Sequence, residues 1–164
     1  MNRNLTVTVF LCAAMLIAIS GFSQSKSLLQ GVWKPTEVVR TGPNASTNKN
    51  PQSCLIIFTS KYYSIVCVTS DKPRPDLPQD INTATGAQLR DVWGPFTGQS
   101  GTYEVKGSEV TYHQSVAKNP TVMSSGNFAI DAFKIEGNTL TLVDKATRNG
   151  PVANPGTVKL MRVE

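Results

Sequence analysis

The sequence predicts an all-β domain: eight short antiparallel strands joined in sequence, with a single helix. Three observations predict it. Apolar residues alternate with polar ones at period two through most of the chain. Turn residues separate these runs at short intervals. Only one stretch after the N-terminus carries helix start and stop signals. With 164 residues, 40% apolar and 16% charged, the chain is one domain's worth and too apolar for disorder.

The N-terminus stands apart. Arg3 precedes "LTVTVFLCAAMLIAIS", a run without a charge, and the small residues Ala18, Ser20, Gly21 and Ser23 follow. Residues 1–23 read as a secretory signal peptide, cleaved after Ser20 or Ser23, and residues 24–164 as the domain. The run is slightly short for a membrane anchor, and no stop-transfer charges follow it. Cys12 lies in mid-run behind Leu11, the wrong place for lipidation. The protein is therefore expected to be secreted or periplasmic, with no membrane span once the signal is removed. Loss of Arg3 lowers the net charge from +5 to +4, with the remaining cations scattered. A nucleic-acid partner would want a clustered basic face, so none is expected.

The strands follow in order. "GVWKPTEVV" (31–39) is the first, and a polar loop leads to "CLIIFTSKYYSIVC" (54–67), a β-branched and aromatic hairpin turning at Ser60-Lys61. That register sets Ile56 opposite Ile65, Phe58 opposite Tyr63, and Cys54 opposite Cys67. Counting outward from the turn makes the cysteines a non-hydrogen-bonded pair, close enough for a disulfide. They are the two cysteines left after signal removal, in an oxidising setting; two buried free thiols are the alternative. Three prolines in "SDKPRPDLPQD" forbid regular structure. A helix over 82–93 is capped by Asn82 or Thr83 and ended by Gly94-Pro95. "SGTYEV" and "EVTYHQSV" flank a "KGS" turn, "NFAIDAFKI" and "TLTLVD" flank "EGN", and "TVKLMRV" is the last strand. Such a series either closes into a barrel or stacks as a sandwich, and closure removes exposed edges.

Gly31-Val32-Trp33 near the mature N-terminus resembles the Gly-x-Trp signature of lipocalins, and Arg162 in the last strand stands where those proteins place an arginine over that tryptophan. "VWGPFTGQSGTYEVKGSEVTYHQSVAKNP" and "NGPVANPGTVKLMRVE" are similar to secreted bacterial lipocalin-like domain proteins, and the similarity covers most of residues 27–164. The resemblance implies an eight-stranded antiparallel up-and-down barrel, with Gly31, Trp33 and Arg162 in structural roles and the helix in a lid loop. It also implies a small bound ligand, without saying which.

The chemistry-bearing residues are few. His113 is the one histidine. It reads as a general base beside Glu104 or, more blandly, as a hydrogen-bonding group of a pocket or core. No nucleophile motif accompanies it, one histidine and a disulfide leave no metal cluster, and no cofactor motif is present. Asp76, Asp80 and Asp91 read as solvated loop charges. Both faces of the hairpin are apolar, so periodicity does not choose the inner one. The face with Ile56, Phe58, Tyr63 and Ile65 suits a ligand cavity, with Tyr112 and His113 as polar anchors. Segment 70–98 is a lid or a plug. The functional expectation is a carrier or sensor of a small apolar molecule. The alternatives are a barrel enzyme (isomerase, cyclase or lyase) using His113, and a protein-interaction module with a filled barrel. The sequence does not specify an oligomeric state.

Overall fold

Strand pairing runs in chain order and returns to its start. In the computed structural model, which describes residues 28–164, the strands are β1 (Gly31–Arg40), β2 (Ser46–Asn48), β3 (Cys54–Phe58), β4 (Tyr62–Val68), β5 (Phe96–Lys106), β6 (Glu109–Ala117), β7 (Ala129–Glu136), β8 (Thr139–Thr147), β9 (Gly150–Pro151) and β10 (Thr157–Arg162). Eight of them form an antiparallel cycle, β10-β1-β3-β4-β5-β6-β7-β8, and β8 pairs back onto β10. The fold is a closed, eight-stranded up-and-down barrel, with one short α-helix between β4 and β5. β2 and β9 are short additions on β1 and β8. The signal-peptide reading of residues 1–23 lies outside the described residues.

The hairpin has the register that its sequence predicts: Phe58 pairs with Tyr63, Ile56 with Ile65 and Cys54 with Cys67, and the cysteines are joined by a disulfide. Burial settles the inner face. Ile56, Phe58 and Tyr63 are buried, while Val66 on the other face is 45% exposed. Two other hairpins turn more tightly than expected. Their loops are the two residues Gly107-Ser108 and Gly137-Asn138, with Lys106 paired to Glu109 and Glu136 to Thr139. Gly107 and Gly137 take φ of 62° and 59°, which glycine adopts without a Cβ penalty. β5 begins at Phe96, earlier than expected, because the glycine-containing "FTGQ" pairs with β4 down to Val68.

The helix, α1 (Gly86–Trp93), starts later than its sequence suggested. Thr85 and Gln88 form a reciprocal capping box, while Asp80 accepts from the Asn82 N–H and caps a separate 3₁₀ turn over Ile81–Thr83. The Trp93 ring packs on Phe96 and the Arg74 guanidinium stacks over Phe96. Phe96 stands on the outer face of β5, so this connection lies against the wall.

The seam between first and last strands is closed at one end by a compact set of contacts. Trp33 pairs with Arg162, whose guanidinium lies 4.1 Å from the Trp33 ring centroid. The Arg162 side chain also donates to the carbonyls of Gln30 (2.5 Å) and Leu28 (2.6 Å). The Trp33 Nε1–H donates to the Leu29 carbonyl at 2.8 Å, and Leu29 is fully buried beneath the barrel. Gly31 has φ 132°, and a Cβ there would collide with the Glu164 carbonyl and the Arg162 guanidinium. The three structural residues read from sequence thus meet at one place. Above them Phe58, Tyr63, Tyr103 and Tyr112 form a chain of ring contacts with centroids 4.8–6.3 Å apart. With Val110, Leu140 and Leu160 they fill this half of the barrel.

Three β-bulges then interrupt the ladders: in β1 between Pro35 and Glu37, on β6 opposite Ser100/Gly101, and on β8 opposite Ile130/Asp131. Each adds one residue to one strand, which bends the wall and raises its twist. At the second bulge a Cβ on Gly101 would run into the His113 carbonyl.

Two stability predictions follow from the seam and the bulge. Trp33→Ala should cost about 3–5 kcal/mol in urea melts from lost packing, Arg162→Ala should cost less, and the double variant should lose less than the sum because the groups touch. Strictly additive losses would contradict the stacked geometry. Gly101→Ala should cost about 1–3 kcal/mol, the usual range for overpacking, and an unchanged midpoint would show that the bulge yields freely.

Candidate ligand-binding cavity

Above the bulges the inward side chains become shorter, and the barrel holds a cavity of about 320 Å³. All eight barrel strands contribute to its lining. Its walls are mostly apolar, with Val38 on β1, Ile56 on β3, Ile65 on β4, Ala129 on β7, Leu142 on β8 and Val158 on β10, while β5 contributes the polar Thr97 and Gln99. The Cys54–Cys67 disulfide forms another part of the wall. Tyr112 lies at the floor, where the aromatic cluster ends.

The mouth is polar. Arg40, at the end of β1, donates to the Thr69 carbonyl (2.9 Å) and lies 3.7 Å from the Asp71 carboxylate. Asn48 on β2 donates to the same carboxylate at 2.8 Å. Asp71 thereby ties the loop before β3 to the chain leaving β4. Of segment 70–98, Ser70 and Thr97 reach the cavity, and no residue of α1 lines it. The helix therefore does not plug the cavity, and it packs through Trp93 on Phe96.

Two carboxylates enter this apolar space. Asp131 on β7 and Asp144 on β8 are cross-strand partners at the third bulge, and both line the cavity. Among the described residues no lysine or arginine forms an ion pair with either. Asp144 accepts a hydrogen bond from the Gly156 N–H (2.9 Å). The Asp131 pKa is pushed up to about 7, first by burial and next by the charge of Asp144; the neighbouring Tyr112 hydroxyl pulls weakly the other way. That hydroxyl is buried, yet it makes no hydrogen bond of acceptable geometry. Burial, and then the Asp131 charge, hold the Tyr112 phenol well above its ordinary value. The Tyr63 hydroxyl, also unsatisfied, is pushed up to about 12 by burial, with Gln114 beside it opposing the shift.

The structure divides the residues that sequence reasoning proposed. Ile56, Ile65 and Tyr112 line the cavity together. Phe58 and Tyr63, each 2% exposed, belong to the packed cluster below it. His113 pairs with Thr102 and sits one residue from Tyr112, on the outer face of β6. It does not line the cavity, so neither a pocket anchor nor a general base acting inside the barrel is placed there. Glu104 pairs with Thr111 instead. Asp131 and Asp144 were missed, although a signal for them existed. Asp131 has the parity of Ala129, Phe133 and Ile135, and Asp144 that of Leu140 and Leu142, so each is a charge on the apolar face of its strand.

No family model and no curated protein matches the sequence. Among solved structures the chain is similar to a lipocalin-like protein from Bacteroides uniformis, at 15% identity and TM-score 0.44, covering 82% of this chain and 97% of that one. It is also similar to an uncharacterized protein from Bacteroides eggerthii, at 11% identity and TM-score 0.43, covering 81% and 98%. The closed pairing of the eight strands identifies the barrel without them.

The acidity of Asp131 gives a pH prediction. Its folded pKa lies above the unfolded value of ~3.9, so between the two the folded protein holds a proton that the unfolded chain has released. The stability from this linkage is complete below about pH 4 and is lost as pH rises through about 7. Urea melts across that window should show the parent losing about 2–4 kcal/mol relative to Asp131→Asn. Parallel pH profiles would mean that the carboxyl is not held protonated.

Proposed function

We propose that the protein binds one small, largely apolar molecule in the upper half of its barrel, as an exported carrier or sensor. The observation that carries this reading is the cavity of about 320 Å³, walled by aliphatic side chains from the barrel strands and entered through a polar mouth. Small-molecule sites span roughly 300–1,000 Å³ and combine such walls with a few convergent polar groups. A barrel filled from end to end would favour an interaction module, but here the aromatic packing stops at Tyr112. The enzyme reading relied on His113, which stands outside the cavity.

Export is supported by three features. The N-terminal sequence has the form of a signal peptide, the Cys54–Cys67 disulfide suits an oxidising compartment, and no described helix is long and apolar enough to cross a membrane.

Fluorescence titration with N-phenyl-1-naphthylamine tests the binding reading. The parent should show one saturable site. Ile65→Trp places a large ring in the cavity and should weaken the probe by at least about tenfold, the effect of losing a few apolar contacts, while the urea midpoint stays within about 1 kcal/mol of the parent. Absent saturable binding, or binding indifferent to Ile65→Trp, would reject the cavity as the site.

A further inference from the structure

We infer that the cavity's occupant is a hydrophobic amine, whose protonated head group sits between Asp131 and Asp144 while its apolar body lies against Ile56, Ile65 and Leu142. The inference rests on the ligand-binding reading above and names the ligand's chemistry.

The charge balance of the cavity carries the argument. Two carboxylates face each other across neighbouring strands in a mostly apolar space, Asp131 half-buried and Asp144 toward the open side, with Thr97 and Gln99 as neutral polar neighbours in the lining. Two ionised carboxylates so placed destabilise the fold unless a proton or a cationic partner offsets them. The protein supplies little. Asp144 has one backbone N–H, from Gly156. Arg40 is the one cation among the described lining residues, and it is occupied at the mouth with Asp71 and the Thr69 carbonyl. A second observation points the same way. The Tyr112 side chain is 2% exposed, lines the same cavity and leaves its hydroxyl without a hydrogen bond beside Asp131. An ammonium group offers three N–H donors, enough to meet both carboxylates and the phenolic oxygen. An anionic head group would be repelled by the carboxylate pair, and a neutral apolar guest would leave the Tyr112 hydroxyl and Asp131 without a new partner.

The same geometry makes binding pH-dependent. The groups facing Asp131 are Asp144 on β8 and Tyr112 on β6, with Tyr63 on β4 behind Tyr112 and Arg40 on β1 at the mouth. Of these, Asp131 changes charge near neutrality. An ammonium guest competes with the proton that Asp131 holds below about pH 7, so affinity rises as that proton leaves.

Calorimetric titration with 2-phenylethylamine, 2-phenylethanol and 3-phenylpropionate separates the possibilities, since the three share an apolar body. The parent at about pH 8 should bind the amine about tenfold to a hundredfold more tightly than the alcohol, as expected for a charge-assisted hydrogen bond, and the propionate most weakly. The amine's advantage should shrink at about pH 6 and the alcohol's affinity should stay level. Asp131→Asn, shown to be folded by its urea melt, should lose most of the amine's advantage over the alcohol and all of its pH dependence between about pH 6 and 8, Asp144 alone remaining. If that variant does not fold, the comparison of the parent at the two pH values decides the matter. Equal affinity for amine and alcohol, a preference for the propionate, or no binding of the amine overturns the inference. Saturable N-phenyl-1-naphthylamine binding in the same preparation shows that the binding reading survives this loss.

Discussion

The stacking of Arg162 on Trp33 is the constraint on which the rest of the barrel depends. A sheet of eight strands has two edges until its last strand meets its first, and an open edge is a template for association. Here the seam is fixed by a cation–π contact at 4.1 Å, by β1–β10 pairing, and by the hold of Arg162 on the carbonyls of Leu28 and Gln30. One guanidinium does three things: it covers a buried ring, satisfies two backbone acceptors, and draws the segment before β1 across the barrel's end. Leu29 is buried in consequence. With seam and base fixed, the intervening hairpins have their registers set by short turns.

The two halves of the interior then follow from side-chain volume. Below the bulges the inward positions hold tryptophan, tyrosine and phenylalanine, and the aromatic contacts leave no gap. Above them the inward positions hold Val38, Ala129, Thr97 and Val158, too small to meet at the axis. The bulges bend the wall at this level, one of them where Asp131 and Asp144 come face to face. A carboxyl set in a mostly apolar wall works against stability, and that tension is what the proposed amine guest would relieve. The hydroxyl of Tyr112 lies at the boundary. Its ring completes the lower core and its oxygen belongs to the upper cavity.

Much of this was legible in the sequence, and what was not has a physical explanation. The hairpin register followed from two cysteines and paired aromatics around Ser60-Lys61, and the seam followed from Trp33 and Arg162. The choice of inner face was right, although both faces are apolar. Phe58 and Tyr63 were expected to line a cavity, but depth along a strand is not encoded in period-two patterning. His113 was drawn toward the pocket as the one histidine, yet its parity opposes that of Tyr112 and sets it outside. The bulges were invisible because each adds a single residue to an otherwise regular run. The carboxylates were the avoidable miss, since acidic residues in phase with Phe133 and Leu142 are an anomaly that strand alternation exposes.

The division at the bulges also bears on how such a chain tolerates change. The closing contacts and the aromatic cluster lie below that level, and the proposed ligand-binding residues lie above it. Exchanges at Ala129 or Val158, which are only partly buried, reshape the cavity without touching the closing contacts. A barrel closed at its base by Gly31, Trp33 and Arg162 thus leaves the composition of the upper wall free to vary independently of the seam.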